Sequence, residues 1–214
     1  MNQKPAGIGR MVLVLTSICV VMAFLLSLVY SQTEERAKKQ LEQLLERSLK
    51  EILPEYDNSP VKDLIYLDDK KDKELAQKCE YELNKGCRIY PAKKGKKLVG
   101  LALGWQSNKG FGGTIRMLVG ITPKGEITGI NILSHSETPG LGAKIAEPEF
   151  QKQFLKKTLK NFNWKVDKDG GDVKSITGAT ISSRAITEAV RQALEFYDAH
   201  KKIILKKAEE KCGL

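Results

Sequence analysis

Acidic residues are missing from the first thirty positions of this 214-residue chain; all 26 Asp and Glu residues lie beyond Tyr30. Histidine is almost as scarce, with only His135 and His200. The four cysteines, at 19, 79, 87 and 212, form no Cys-x-x-Cys pair and no cluster with histidine. These shortages exclude the spaced arrays that ligate zinc, haem or iron–sulfur clusters. They also leave no evident nucleophile–base pair, so no residue is assigned a catalytic or metal-binding role. A Gly-x4-Gly-Lys-Ser/Thr phosphate loop is absent as well. Aromatics make up 7% of the chain and do not interleave with the lysine run Lys93-Lys-Gly-Lys-Lys97. Nucleic acid is therefore not an expected partner.

What the N-terminus does contain is Met11–Tyr30, twenty residues without a charge. As a helix they span about 30 Å, the thickness of a bilayer core. A cleaved signal peptide has a shorter apolar core, of about 7–15 residues, so the length favours an anchor. Lys4 and Arg10 precede the span and place the N-terminus in the cytoplasm. Residues 31–214 then lie outside the cytoplasm. Without Lys4 and Arg10, the net charge of +10 falls to +8 on that portion. Cys79 and Cys87 fit two readings there, a disulfide in an oxidising compartment or two free thiols on a loop.

The expected organisation is a cytoplasmic segment (1–10), a transmembrane helix (11–30), an amphipathic helix with the first part of an extracytoplasmic domain (31–97), a main domain (98–208) and a tail (209–214). Leu41, Leu44, Leu45, Leu49, Ile52 and Leu53 fall near helical spacing, and Pro54 stops that helix. Residues 55–97 mix short apolar runs, such as Asp63-Leu-Ile-Tyr-Leu67, with lysine-rich turns. Leu98–Gly104, Thr114–Thr122 and Glu126–Leu133 are rich in Val, Ile, Leu and Thr and read as strands. Thr122-Pro-Lys-Gly125 is a turn with proline at its second position, which makes the last two strands an antiparallel hairpin. A helix is expected near Glu149–Asn161, a polar loop near Asp167–Asp172 and a final helix from about Ser183 to Ala208. The class is α+β, a central antiparallel sheet flanked by helices.

Two loops carry more glycine and hydroxyl than packing needs. In Ser134-His-Ser-Glu-Thr-Pro-Gly-Leu-Gly-Ala143, Pro139 restricts Thr138, and two glycines constrain a turn that presents Leu141 outward. It reads as a platform for a planar ligand or as an ordinary strand-to-helix loop. His135 adjoins it, either tuning the site or simply satisfied within the loop. In Ser175-Ile-Thr-Gly-Ala-Thr-Ile-Ser-Ser183, Gly178-Ala179 leaves room for a phosphate at a helix start, and Arg184 offers a positive charge. The plainer reading is a helix cap made by Ser182 or Ser183.

Thr177-Gly-Ala-Thr-Ile-Ser-Ser183 resembles the Ser/Thr-Gly-Ala-Thr motif of proteins that carry FMN covalently, and Glu137-Thr-Pro-Gly-Leu-Gly142 resembles their second hallmark. Gly110-Phe-Gly-Gly-Thr-Ile115, followed by Val119-Gly-Ile and the turn at Gly125, is a third match. With one N-terminal span, the chain is similar to the G-subunit family of Rnf ion-translocating oxidoreductases. The C subunit of the sodium-translocating NADH:quinone oxidoreductase is the alternative within the same group, and a non-redox membrane-anchored adaptor the alternative outside it. The resemblance implies an FMN cofactor whose phosphate is esterified to Thr180. Glu137, Thr138 and Leu141 would contact the ring system, and Gly178 and Ala179 would lie beside the phosphate. It implies electron relay within a complex that couples ferredoxin and NAD chemistry to ion transport. The implied partners are the other subunits, the membrane and a flavin transferase. One departure stands out: the motif usually has an acid six residues before the modified threonine, where this chain has Lys174, with Asp172 two residues further back.

Overall fold

The computed structural model describes residues 7–67, 79, 81–82 and 86–213. The chain folds as two compact units, one ending at Leu44 and one beginning at Leu45. Helix α1 (Ile8–Ile52) is 45 residues long and includes both the expected apolar span and the expected amphipathic segment. In the first unit, Gly9–Tyr30 is long and apolar enough to cross a membrane. Two of its hydroxyls are satisfied within the helix. Thr16 donates to the Val12 carbonyl at 2.8 Å and Ser17 to that of Val14 at 2.8 Å. Such back-bonding is what a polar group needs where no water is available.

Among the described residues of the second unit, six strands form one antiparallel sheet: β1 (Ile65–Leu67), β2 (Tyr81–Glu82), β3 (Gly86–Lys94), β4 (Lys97–Gly110), β5 (Gly113–Ile121) and β6 (Ile127–Ser134). The order is β1-β3-β4-β5-β6, with β2 also paired to β3. The three strands expected from the sequence are β4 to β6. The Thr122–Gly125 turn closes as expected, Gly125 N–H donating to the Thr122 carbonyl at 2.9 Å. Strands β1 to β3 lie in the segment read as mixed. Proline and lysine disguise β3, because Pro91 sits where β1 has already ended. There the side chain of Asn58 covers the ladder edge, accepting from Lys93 N–H at 2.9 Å and donating to the Pro91 carbonyl at 3.0 Å.

Both faces of the sheet are covered, which is why β4 reads as almost continuously buried. Helix α3 (Thr180–Cys212) packs on one face through Ala185, Ile186, Ala189, Val190, Ala193 and Leu194, against Leu101, Leu103, Trp105, Met117 and Val119. On the other, Leu45, Leu49 and Ile52 at the end of α1 meet Tyr90, Ala92, Ala102 and Leu118. Glycines allow the close approach here. A Cβ at Gly120 would lie 2.7 Å from the Ile52 carbonyl oxygen, and one at Gly129 would lie 2.9 Å from the Ile52 Cα.

Where a helix near Glu149–Asn161 was expected, only one turn forms, α2 (Pro148–Gln151), followed by a 3-10 turn at Lys152–Phe154. The chain then leaves the helix to pair with the start of β6: Lys156 N–H donates to the Ile127 carbonyl at 2.9 Å, and Ile127 N–H to that of Lys157 at 3.0 Å. Lys156 adopts a left-handed φ of 60° to make this turn.

Cys79 and Cys87, both buried, are joined by a disulfide. With eight residues of separation, the loop-entropy argument gives it about 2–3 kcal/mol. Reduction is expected to lower the denaturation midpoint accordingly. Equal midpoints for the oxidised and reduced chain would show that the bond contributes nothing.

Candidate functional site

Three segments converge at one end of the sheet. The β4–β5 hairpin tip is the tight turn Phe111-Gly112, closed by the Gly110–Gly113 pair, with Gly113 at φ 109°. The loop after β6 is folded back by its own main chain: Leu141 N–H and Ala143 N–H donate to the Thr138 carbonyl at 3.2 and 3.1 Å, and Gly140 takes φ 75°. The third segment is the turn before α3. Ala179 N–H donates to the Ile176 carbonyl at 2.9 Å, and Gly178 at φ 79° occupies the position such a turn reserves for glycine. A Cβ there would lie 3.2 Å from Leu141 Cδ2, so this turn and the loop are in contact.

Between the three lies a cavity of about 160 Å³. The hairpin contributes Phe111, the loop contributes Glu137, Thr138, Leu141 and Gly142, and the helix start contributes Gly178, Ala179, Ile181 and Ser182. Its mouth is apolar: Phe111 is 70% exposed, Ile181 49% and Leu141 44%.

Helix α3 begins at Thr180, three residues earlier than expected, with Ala179 as its cap residue and no side-chain cap. Ser182 and Ser183 do not cap because each is bonded elsewhere. Ser182 donates to Glu137 Oε2 at 2.5 Å. Ser183 Oγ accepts from Ile176 N–H at 3.0 Å and donates to the Ala179 carbonyl at 3.0 Å, bracing the turn. The first intrahelical bond is from Ser183 N–H to the Ala179 carbonyl. The amides of Thr180, Ile181 and Ser182 thus precede the helical ladder, an arrangement suited to an anion. Thr180 itself is half-buried, between two residues that line the cavity.

Arg184, the positive charge near this motif, is paired within the chain. It forms a two-point ion pair with Asp169, at 2.6 and 2.7 Å, which holds that carboxyl below its usual range. His135 is committed within the loop, its Nδ1 accepting from Glu137 N–H at 3.2 Å.

The FMN-binding domain family matches residues 110–195, which span all three segments. The G subunit of the ion-translocating oxidoreductase complex of Aliivibrio fischeri strain MJ11 is 34% identical over 200 residues, 90% of this chain and 91% of that one. The chain belongs to the G-subunit family of ion-translocating oxidoreductase complexes. Its Shewanella baltica relative is 33% identical over 196 residues, 86% of each chain. The G subunit of the proton-translocating ferredoxin:NAD(+) oxidoreductase complex of Clostridium ljungdahlii is 40% identical over 107 residues, 50% of this chain and 57% of its own. The crystal structure of Shewanella oneidensis NqrC shares the fold, with TM-score 0.54 and 17% identity over 77% of this chain and 98% of that one.

In this member of the G-subunit family, five of the six residues expected at the cofactor line this cavity, and Thr180 is not among the lining residues. The five are Glu137, Thr138, Leu141, Gly178 and Ala179, and Thr180 follows directly. Phe111, Ile181 and Ser182 were not singled out. Phe111 belongs to the Gly110–Ile115 motif, and an aromatic on a glycine hairpin tip, where its own strands cannot bury it, is the sequence signal for it. At Lys174 the main chain is clamped by Gln153, whose Oε1 accepts from Lys174 N–H at 2.7 Å and whose Nε2 donates to the Lys174 carbonyl at 3.2 Å. Asp172 Oδ2 accepts from Asn163 N–H at 2.8 Å and so belongs to the preceding loop.

Proposed function

We propose that this chain is the membrane-anchored FMN subunit that relays electrons within an ion-translocating oxidoreductase complex, with the flavin phosphate esterified to the Thr180 hydroxyl. One observation supports the reading: the helix that begins at Thr180 has no side-chain cap, and the residues on either side of Thr180 line an apolar-mouthed cavity. These residues fit FMN. The amides suit a phosphate dianion, and the glycine turn keeps side chains clear of it. Leu141 and Thr138 offer a surface for a flat ring, with Glu137 in the wall. Bound FMN supplies the one-electron chemistry; the residues of the chain bind and orient it.

The reading extends to the partners that the relatives' names imply. Electrons pass between ferredoxin and NAD in other subunits, which also provide the ion path, since a single span without a buried ionisable group offers none. A flavin transferase makes the ester. Lys4 and Arg10 ahead of the span, and the Cys79–Cys87 disulfide, support an N-terminus in the cytoplasm and a flavin domain outside it.

The test is the mass of the full chain made together with a flavin transferase. We expect an increase of one FMN ester, carried by the peptide that contains Thr180. An unmodified mass for that peptide would overturn the reading. If the transferase reads an acid at position 174, Lys174→Asp raises the modified fraction; an unchanged fraction shows that it does not.

A further inference from the structure

Glu137 is buried, with 4% of its surface exposed, and is the one carboxylate in the cavity wall. Both of its oxygens are occupied. Oε1 accepts from Gly112 N–H at 3.0 Å, and Oε2 from the Ser182 hydroxyl at 2.5 Å. One side chain on the loop after β6 therefore ties the hairpin tip to the first turn of α3. Among the described residues no lysine or arginine is bonded to it; Lys109, on the nearby strand end, pairs with Glu188.

The surrounding backbone is shaped to this carboxylate. A Cβ at Gly110 would lie 2.6 Å from Oε1, and one at Gly142 would lie 2.5 Å from Oε2 and 2.8 Å from Ser182 Oγ. A Cβ at Gly112 would lie 1.9 Å from the Ser136 carbonyl oxygen, so the hairpin tip rests directly on the chain beside Glu137. Each exposed residue at the mouth is adjacent to a member of this arrangement: Phe111 to Gly112, Leu141 to Gly142 and Ile181 to Ser182. Fixing the three glycine and serine positions therefore fixes where the apolar mouth stands.

We propose that Glu137 is a positioning residue: its carboxylate latches the hairpin tip to the start of α3, sets the shape of the cavity, and biases the cavity against added negative charge. The latch rests on contacts within the chain. The charge effect rests on the reading that FMN occupies the cavity. A buried carboxylate without a cation partner repels electron density placed beside it, and does so more strongly than it would in water.

Two variants separate these parts. Glu137→Gln keeps an acceptor for Gly112 N–H and removes the charge; Glu137→Ala removes both. In the full chain made without a flavin transferase, Glu137→Ala is expected to speed amide exchange at Gly112 about tenfold or more, the size of a lost charge-assisted hydrogen bond. Glu137→Gln should stay close to the unmodified chain. In the flavin-loaded chain, Glu137→Gln is expected to shift the flavin midpoint potential to more positive values, an effect that a merely structural role would not produce. Unchanged Gly112 exchange in Glu137→Ala would overturn the latch, and an unchanged potential in a loaded Glu137→Gln chain would overturn the charge effect. If Glu137→Ala does not fold, Ser182→Ala removes one of the two tethers, and unchanged exchange at Ser183 N–H, the first amide bonded at the start of α3, would then overturn the latch. A chain that acquires no flavin would sink the functional reading instead, leaving the exchange measurement to decide the latch alone.

Discussion

Thr180→Ala is expected to abolish flavin fluorescence from the protein separated on a denaturing gel, and Thr180→Ser to retain it. Fluorescence that survives denaturation reports a covalent bond, and a phosphoester needs a hydroxyl at the attachment point. The neighbouring hydroxyls are poorly placed to substitute, since Ser182 is bonded to Glu137 and Ser183 to the Ala179 carbonyl. Thr177 is exposed and three residues back, and is the one competitor in the motif. Fluorescence that persists in Thr180→Ala but is lost in Thr177→Ala would move the attachment there. The loss should come without unfolding. Alanine fits a helical backbone and leaves no large cavity at this half-buried position, so the unmodified chain should change in stability by about 0.5 kcal/mol or less. A large fall in melting temperature would mean that the lost fluorescence reports damage to the fold rather than the missing oxygen.

The site was legible in the sequence because its chemistry is local. Glycine, proline and threonine at fixed spacing dictate tight turns over a few residues, and the two loops they marked do meet. What the sequence did not reveal depends on partners far along the chain. Ser182 and Ser183 have the composition of a helix cap, yet Ser182 is drawn away by Glu137, forty-five residues earlier. That diversion leaves the helix start open at Thr180. The same reasoning explains Arg184: a positive charge near a phosphate motif reads as a ligand until Asp169, fifteen residues back, claims it. The expected helix after Glu149 fails for a similar reason, because residues 156–157 make main-chain bonds with Ile127. Strand β3 is hidden in the sequence because a proline, an arginine and two lysines dilute its pattern, and its edge is completed by the side chain of Asn58 together with Asp57 N–H, which donates to the Lys93 carbonyl at 2.9 Å. In each case local preference was overridden by a contact whose partner lies outside any sequence window.

Removing the largest fully buried side chain should have the largest effect on stability. Trp105 lies on β4 with none of its surface exposed, opposite Met117 of β5, and its ring centroid is 5.5 Å from that of Phe196 on α3. Its backbone also bridges to Cys79, so strand, helix and disulfide meet at this residue. Trp105→Ala removes one of the packing contacts between α3 and the sheet and leaves a cavity, at a cost of about 3–5 kcal/mol. For a chain of this size that corresponds to a fall of roughly 10 °C in Tm, measured by circular dichroism on the detergent-solubilised protein. Against a typical total of about 5–15 kcal/mol, such a loss threatens the folded state itself. Trp105→Phe should cost much less, and for a specific reason. Trp105 Nε1–H is buried without a hydrogen-bond partner among the described residues, and an unsatisfied buried donor costs about 1–3 kcal/mol. Phenylalanine removes that donor while keeping most of the ring, so the two changes offset. A Trp105→Phe chain as unstable as Trp105→Ala would show that the indole N–H does find a partner, and that the residue is held by that bond rather than by packing alone.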